Sequence, residues 1–98
     1  MKYYFHPDAE NEFLEAIDYY EKRSEGLGLD FSMEVFHTIN RILAYPKAWP
    51  KLDTNIHRSL VTRFPYGILY NIDRNRIFIL AVMHLNRKPG YWKQRECE

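Results

Sequence analysis

The first half of the chain places its apolar and polar residues with the 3.6-residue period of amphipathic helices. Lys2–Phe5 is a short β-prone run, and Pro7 follows it at a first helical position. Apolar residues then recur at helical spacing to about Ser24, and a second periodic segment runs over Leu29–Ala44. Pro46 ends that segment, because proline cannot continue a helix. The pattern therefore predicts one short strand followed by two helices.

The two predicted helices are separated by a segment that contains Gly26 and Gly28. A phosphate-binding loop is excluded here, because the glycines follow a helix and the third glycine of a dinucleotide motif is absent. We expect instead a turn that joins two antiparallel helices. After the second helix we expect a loop over Lys47–Asn55, in which Trp49 folds back over the end of the helical pair.

The second half of the chain has the shorter period of β-strands. Strands are predicted over Ile56–Phe64, Gly67–Ile72 and Arg76–His84, with a tight hairpin turn at residues 73–75. The predicted fold class is α+β in the order β-α-α-β-β-β, with an antiparallel helical hairpin packed on one face of a small antiparallel sheet. Residues 1–98 are expected to form a single domain.

The last predicted strand is apolar on both of its faces. Two helices can cover only one face of a small sheet, so the other needs cover from the chain's own tail, a second copy or a partner protein. We expect a second polypeptide to supply it. Strict alternation would place Ile77, Ile79, Ala81 and Met83 on one face and Phe78, Leu80, Val82 and His84 on the other.

The composition indicates the cellular compartment of the protein and whether a metal or cofactor is expected. The single cysteine, Cys97, cannot form an internal disulfide, which fits a reducing cytosol. No apolar run approaches the ~18 residues of a membrane span, and the N-terminus has no signal-peptide pattern, so a cytoplasmic protein is expected. The histidines are too scattered to suggest a metal site, and no cofactor is expected.

Charge is distributed unevenly between the two halves. Residues 1–50 carry five Lys/Arg and nine Asp/Glu, whereas residues 51–98 carry nine Lys/Arg and four Asp/Glu. The strands and the C-terminal segment are therefore basic and the helices acidic. Such segregation favours an anionic partner for the basic part of the molecule.

The second half of the chain contains four distinctive short motifs, which are Arg63-Phe64-Pro65-Tyr66, Ala81-Val82-Met83-His84, Arg87-Lys88-Pro89 and Tyr91-Trp92. With the order of the predicted elements, these motifs resemble the RelE/ParE superfamily of bacterial toxins, and most closely its ParE-like, plasmid-stabilisation branch. The likeness covers nearly the whole chain.

The resemblance implies a small cytoplasmic toxin that a cognate antitoxin holds inactive, in a toxin–antitoxin hetero-oligomer. The antitoxin is expected to contact Phe78, Leu80 and Val82 on the uncovered face of the sheet. ParE-like members inhibit DNA gyrase, whereas RelE-like members cut messenger RNA on the ribosome. A third alternative is an inactive member that only binds its antitoxin.

In the nuclease alternative, the catalytic residues would be Arg63, His84 and Arg87. RNA cleavage without a metal needs a base, an acid and cations for the phosphorane charge. Arg58 could add a further cation and Tyr70 a proton or a stacking surface. The moderate net charge of +1 and the absence of glutamate from the last two predicted strands favour the non-hydrolytic alternative instead.

The basic residues of the second half are the candidates for binding the target. The four that follow the last strand have no obvious internal partners in the sequence. Tyr91 and Trp92 could stack on a base of the target. They are expected instead either to pin this segment to the domain or to be buried against the antitoxin, and His84 is expected to anchor a neighbouring loop. The complete target-binding set is Arg58, Arg63, Arg87, Lys88, Tyr91, Trp92, Lys93 and Arg95.

Overall fold

Two helices lie on one face of a five-stranded sheet in the computed structural model, which describes residues 1–95. The α+β class and the order of the predicted elements are confirmed, while Cys97 lies outside the described residues. The elements are β1 (Lys2–Phe5), α1 (Pro7–Arg23), α2 (Leu27–Ala44), β2 (Lys51–Asp53), β3 (Ile56–Leu60), β4 (Tyr66–Asp73), β5 (Arg76–His84) and a 3₁₀ turn at Lys93–Arg95.

The sheet differs from the predicted one in two respects. Its strand order is β1-β5-β4-β3-β2, and β1 pairs with β5 in parallel, so the sheet is mixed rather than antiparallel. The helical hairpin carries the chain from β1 across the sheet to β2 at the opposite edge, and the antiparallel strands then lead back to β5 beside β1. β2 lies inside the predicted loop, because three residues, two of them charged, provide no alternation to detect.

The turn between the helices depends on the Glu21 side chain of α1. Gly26 adopts a φ of 87° at the start of α2, a conformation that favours glycine. The Glu21 carboxylate accepts hydrogen bonds from the N–H groups of Gly26 and Gly28, both at 3.0 Å. A Cβ on Gly28 would lie 2.6 Å from the Ile17 carbonyl oxygen, so the two helices meet closely here.

Neither helix has the length and apolarity to cross a membrane, within residues 1–95.

The helix-covered side of the sheet, called here the helix face, holds the larger core. Phe31 is fully buried and lies against the rings of Tyr20, Phe64 and Tyr66. Trp49 packs against the same core, as expected of a residue that closes the end of the helical pair. This core ties the helices to the sheet.

A β-bulge at Leu80 makes the predicted strict alternation of β5 wrong. Leu69 of β4 pairs with Ala81, but the next residue, Tyr70, pairs with Ile79, so Leu80 is an extra residue. Beyond the bulge the two sets of side chains exchange faces. Val82 consequently joins Ile77 and Ile79 in the helix-face core, while Leu80, Ala81 and Met83 lie on the opposite side.

The expectation that a second polypeptide must cover the other side of β5 is also wrong. The segment that follows β5, called here the tail (residues 85–95), folds over that side, called here the tail face. Trp92 is 2% exposed and Leu80 is fully buried. The core that they form also includes Ile56, Leu69, Ala81 and Met83.

Candidate functional site at the tail

A cleft of about 520 Å³ opens on the tail face, between the tail and the ends of β2 and β5. Arg58, Arg87 and Lys93 bring three cationic groups to it, so it is called here the cationic cleft. Trp92 and Met83 lie in its wall, and both are buried. The cleft therefore combines positive charge with an apolar surface. Its remaining lining residues are Leu52, Asp53, Leu85, Pro89 and Gly90.

Arg58 reaches the cleft because β4 has a glycine beside it. Arg58 lies on β3 opposite Leu69, and its stem passes over Gly67. A Cβ on Gly67 would stand 3.2 Å from both Cγ and Cδ of Arg58, closer than ordinary contact. The bare glycine thus leaves room for the arginine stem on the tail face.

Arg87 and Tyr91 contact one another within the tail. The guanidinium carbon of Arg87 lies 3.9 Å from the centre of the Tyr91 ring, and that of Arg95 lies 5.1 Å from it. Both distances are in the range of cation–π attraction. Burial, together with the nearby Glu12 carboxylate, raises the pKa of the Tyr91 hydroxyl. Tyr91 therefore stays neutral at physiological pH and holds the tail together.

Lys93 and Lys88 are the more accessible cations of the tail. Lys93 Nζ lies 3.7 Å from a carboxylate oxygen of Asp53, which joins the tail to the end of β2. The side chains are 61% and 39% exposed, so this ion pair is worth little. Lys88 is exposed. Both ammonium groups are accessible to a ligand.

Arg95 has internal partners, contrary to the expectation for the four basic residues after β5. Its guanidinium donates to both carboxylate oxygens of Glu12, each at 3.0 Å, and to the Leu80 carbonyl at 3.1 Å. Burial opposes the charge of Arg95, but the attraction of Glu12 outweighs it and raises the pKa of the guanidinium. Arg95 thus anchors the tail and does not line the cleft.

Two other predicted site residues lie away from the cationic cleft. Arg63 has a φ of 74°. Its guanidinium nitrogens lie 3.7 Å from a carboxylate oxygen of Asp30 and 3.8 Å from one of Glu34, both on α2. Tyr70 is fully buried on the helix face, where its hydroxyl donates to the Pro46 carbonyl at 2.6 Å. Its burial raises the pKa of that hydroxyl to about 12, so Tyr70 offers neither a stacking surface nor an accessible proton.

His84 has the contacts of a loop anchor. Its Nδ1 accepts a hydrogen bond from the Asn86 N–H at 3.0 Å, and its ring packs edge-on against Tyr66. His84 and Arg87 do line one small cavity of about 240 Å³, but Arg63 is not part of it. The three residues predicted for RNA cleavage are therefore not brought together. Within residues 1–95 no cluster of three or more side chains suited to a metal is found.

The three residues expected to bind an antitoxin differ in accessibility. Leu80 and Val82 are buried in the monomer, whereas Phe78 is only half-buried. Phe78 lines an open cavity of about 540 Å³ at the end of the tail face that the tail does not reach. The Oδ1 atom of Asn71 is buried beside this cavity without a hydrogen-bond partner among the described residues. Tyr4, Asn55, Ile72, Asp73 and Arg76 complete the lining.

Sequence reasoning missed Glu12 and Gly67. Glu12 is one of three acids, with Asp8 and Glu10, in the first turns of the first predicted helix, and no local pattern distinguishes it from the other two. Gly67 begins a predicted strand directly after Pro65 and Tyr66, where a glycine is expected for conformational reasons. Both roles arise from contacts between residues distant in the sequence.

The comparisons with known proteins agree with this geometry. A profile of the family described as "ParE toxin of type II toxin-antitoxin system, parDE" matches residues 3–89. Among solved structures, the fold resembles one described as "Chromosomal ParDE TA system from P. aeruginosa", with a TM-score of 0.72 at 15% identity. The likeness covers 88% of this chain and 97% of that chain, and at such identity it concerns the fold alone. No curated protein gives a significant match.

Proposed function

Since the chain belongs to the ParE toxin family of type II toxin–antitoxin systems, we propose that it is a cytoplasmic, non-hydrolytic inhibitor of DNA gyrase that a cognate antitoxin neutralises. The choice of gyrase rests on the resemblance of the tail and strand motifs to the ParE-like branch. In this proposal the cationic cleft is the surface that binds the target.

The observation that carries the proposal is the convergence of cations from two distant segments over a buried tryptophan. Arg58 comes from β3, whereas Arg87 and Lys93 come from the tail, and all three line the cleft beside Trp92. Cations at the rim attract an acidic surface and fix its orientation, and an aromatic wall provides contact area. This combination suits binding to a large anionic partner.

A hydrolytic role has less support in the same residues. The carboxylate that lines the cleft, Asp53, already pairs with Lys93. Burial raises the pKa of the Tyr66 hydroxyl beside His84 to about 12, so it remains protonated at neutral pH and is a poor general base. Cleavage without a metal would need an unpaired base beside the cations, and the described residues of the cleft offer only the paired Asp53.

The proposal is tested with the double variant Arg58→Gln/Lys93→Gln in a gyrase supercoiling assay. We expect the concentration for half-inhibition to rise at least about tenfold, because two cations that face the target are lost. The matched control, Lys22→Gln/Lys47→Gln, removes the same charge from exposed sites outside the cleft and is expected to inhibit like the natural protein. Thermal unfolding of both variants checks that the fold is retained.

Two results would overturn this function. Supercoiling that is untouched at high toxin excess, together with cutting of ribosome-bound message, would establish the RelE-like alternative. If supercoiling is not inhibited, message is not cut and expression does not affect growth, the protein is a member that only binds its antitoxin.

We further propose that the antitoxin contacts the open end of the tail face, at Phe78. The half-buried Phe78 ring offers apolar surface to a partner there, and Tyr4 and Ile72 line the same cavity. Leu80 is buried beneath the tail and Val82 lies in the helix-face core, so neither presents surface to a partner while the tail is in place.

Phe78→Ala is expected to weaken the complex with the cognate antitoxin by at least about tenfold, as truncation of an aromatic anchor does. Isothermal titration calorimetry measures it. Tyr45→Ala, at a 69% exposed aromatic outside this cavity, is the control. Equal affinity of both variants would place the antitoxin elsewhere.

A further inference from the structure

The edge of β5 changes its hydrogen-bonding partners partway along the strand. β1 pairs with it from Arg76 to Ile79, and the His6 N–H then donates to the Ile79 carbonyl at 2.8 Å. α1 begins at Pro7, so strand pairing on this edge stops there. An unpaired strand edge inside a protein needs other partners for its backbone groups.

Two charged side chains provide those partners. Glu12 accepts a hydrogen bond from the Val82 N–H at 3.0 Å, and Arg95 donates to the Leu80 carbonyl at 3.1 Å. Arg95 also binds both oxygens of Glu12, and the two side chains are only 13% and 15% exposed. A bidentate pair shielded from water is the stronger kind of ion pair. The Glu12 carboxylate therefore binds both a backbone N–H at the edge of the sheet and the Arg95 guanidinium at the end of the tail.

The tail meets Glu12 only after crossing the tail face. Trp92 is inserted into the core there, and Arg95 follows three residues later. Most of the residues that line the cationic cleft belong to the tail, including Arg87 and Lys93. The cleft consequently has this shape only while the tail is held in this position.

We propose that Glu12 is a positioning residue for target binding: from α1, outside the cleft, it holds Arg95 and so fixes the tail that forms the cleft. The inference rests on the proposed function of the cleft. Among residues 1–95, the carboxylate that remains near Arg95 without Glu12 is that of Asp8, which is 60% exposed and 3.7 Å from Nε. A solvated acid does not compensate a partly buried guanidinium, so the tail detaches and the cleft opens.

The test uses Glu12→Gln in the full-length toxin. Glutamine keeps an oxygen that can accept from the Val82 N–H, but it removes the charge that holds Arg95. We expect hydrogen exchange of the tail amides to accelerate about tenfold, while the amides of β4 keep their protection. The concentration for half-inhibition of gyrase is expected to rise by a similar factor. Glu15→Gln, the same change at an exposed position of α1, is expected to alter neither quantity.

A second variant approaches the ion pair from the tail. Arg95→Gln leaves Glu12 bonded to Val82 and is expected to reproduce the faster tail exchange and the weaker inhibition. The double variant Glu12→Gln/Arg95→Gln is expected to be no worse than either single change, because both act on one equilibrium of the tail. Effects that multiply would show that the residues act separately, and the inference would be wrong.

The outcomes separate this inference from the proposed function. If the cleft variant Arg58→Gln/Lys93→Gln loses inhibition while Glu12→Gln retains it, the positioning role is overturned and the cleft remains the target site. If the Glu12→Gln tail exchanges no faster than that of the natural protein, the role is overturned regardless of inhibition. If tail exchange accelerates and neither variant changes inhibition, the cleft itself is not the target site, and both proposals fail.

Discussion

The two faces of the sheet are both apolar, yet they are covered by very different lengths of chain. The helix face lies under α1 and α2, of 17 and 18 residues, which interlock through aromatic rings such as those of Phe31 and Phe64. The tail face is closed by an eleven-residue tail, through Trp92 and an ion pair at its end. A cover made by two helices serves stability, whereas a short cover can be adjusted and can carry function.

Basic and acidic residues are also divided between the two faces of the sheet. The cations of the cleft come from the basic half of the chain, and the acidic half supplies the helices that lie on the other face. Arg63 is the exception, because it leaves the basic side to meet Asp30 and Glu34 of α2. Glu12 connects the two regions, since it belongs to a helix and binds the tail.

Truncating one large aromatic on each face gives the largest expected effect. Phe31→Ala is expected to lower the free energy of unfolding by about 3–5 kcal/mol, because it leaves a cavity that the helices cannot close. Trp92→Ala is expected to lower it by less than half as much, since the tail can detach while the rest stays folded. Urea unfolding at constant pH measures both values.

The control for this pair is Tyr45→Ala, which removes an aromatic that is 69% exposed and should change stability by no more than about 0.5 kcal/mol. Equal losses for Phe31→Ala and Trp92→Ala would mean that the tail unfolds together with the core. The two faces would then not differ in the way described.

A smaller effect is expected on the helix face at alkaline pH. The hydroxyl of Tyr70 is buried and its pKa is raised to about 12, whereas an unfolded tyrosine ionises near pH 10. The stabilisation is therefore complete below pH 10 and is lost as the pH rises from 10 to 12. Tyr70→Phe is expected to reduce this alkaline loss, at a cost near neutrality of about 1 kcal/mol for the hydrogen bond to Pro46.

Urea midpoints between pH 7 and pH 12 test this expectation. Tyr45→Phe serves as the control, because it removes an exposed hydroxyl. A Tyr70→Phe variant that loses stability above pH 10 as steeply as the natural protein would show that Tyr70 does not hold its proton there.

Most of the fold could be predicted from local patterns. The periods of α1 and α2 and the turn residues around β4 and β5 are properties of neighbouring residues, and the family resemblance follows them. β2 was missed because three residues carry no period. The bulge at Leu80 was missed because an extra residue in a strand leaves the apolar composition unchanged and only exchanges the faces.

The candidate site was predictable only in part. Arg58, Arg87, Trp92 and Lys93 were recognised as a basic, aromatic set, and the structure brings them to one cleft. Arg95 was assigned to the same set, because the sequence does not reveal a partner that lies 83 positions away. The same distance concealed Glu12.

By itself, the sequence determined the helices, the strands of the hairpin, the family and the separation of acidic from basic halves. These features depend on residue type and on spacing within a few positions, so they can be predicted without knowing the contacts between residues that are distant in the sequence. Only the tertiary structure decided which side of β5 each residue takes and what closes the tail face. The side that each residue of β5 takes depends on one inserted residue, Leu80. The closure of the tail face depends on a contact between Glu12, in the second turn of α1, and Arg95 at the end of the tail. Such a charge can be buried only beside a partner of opposite charge, and a partner so distant in the sequence is found only in the folded chain.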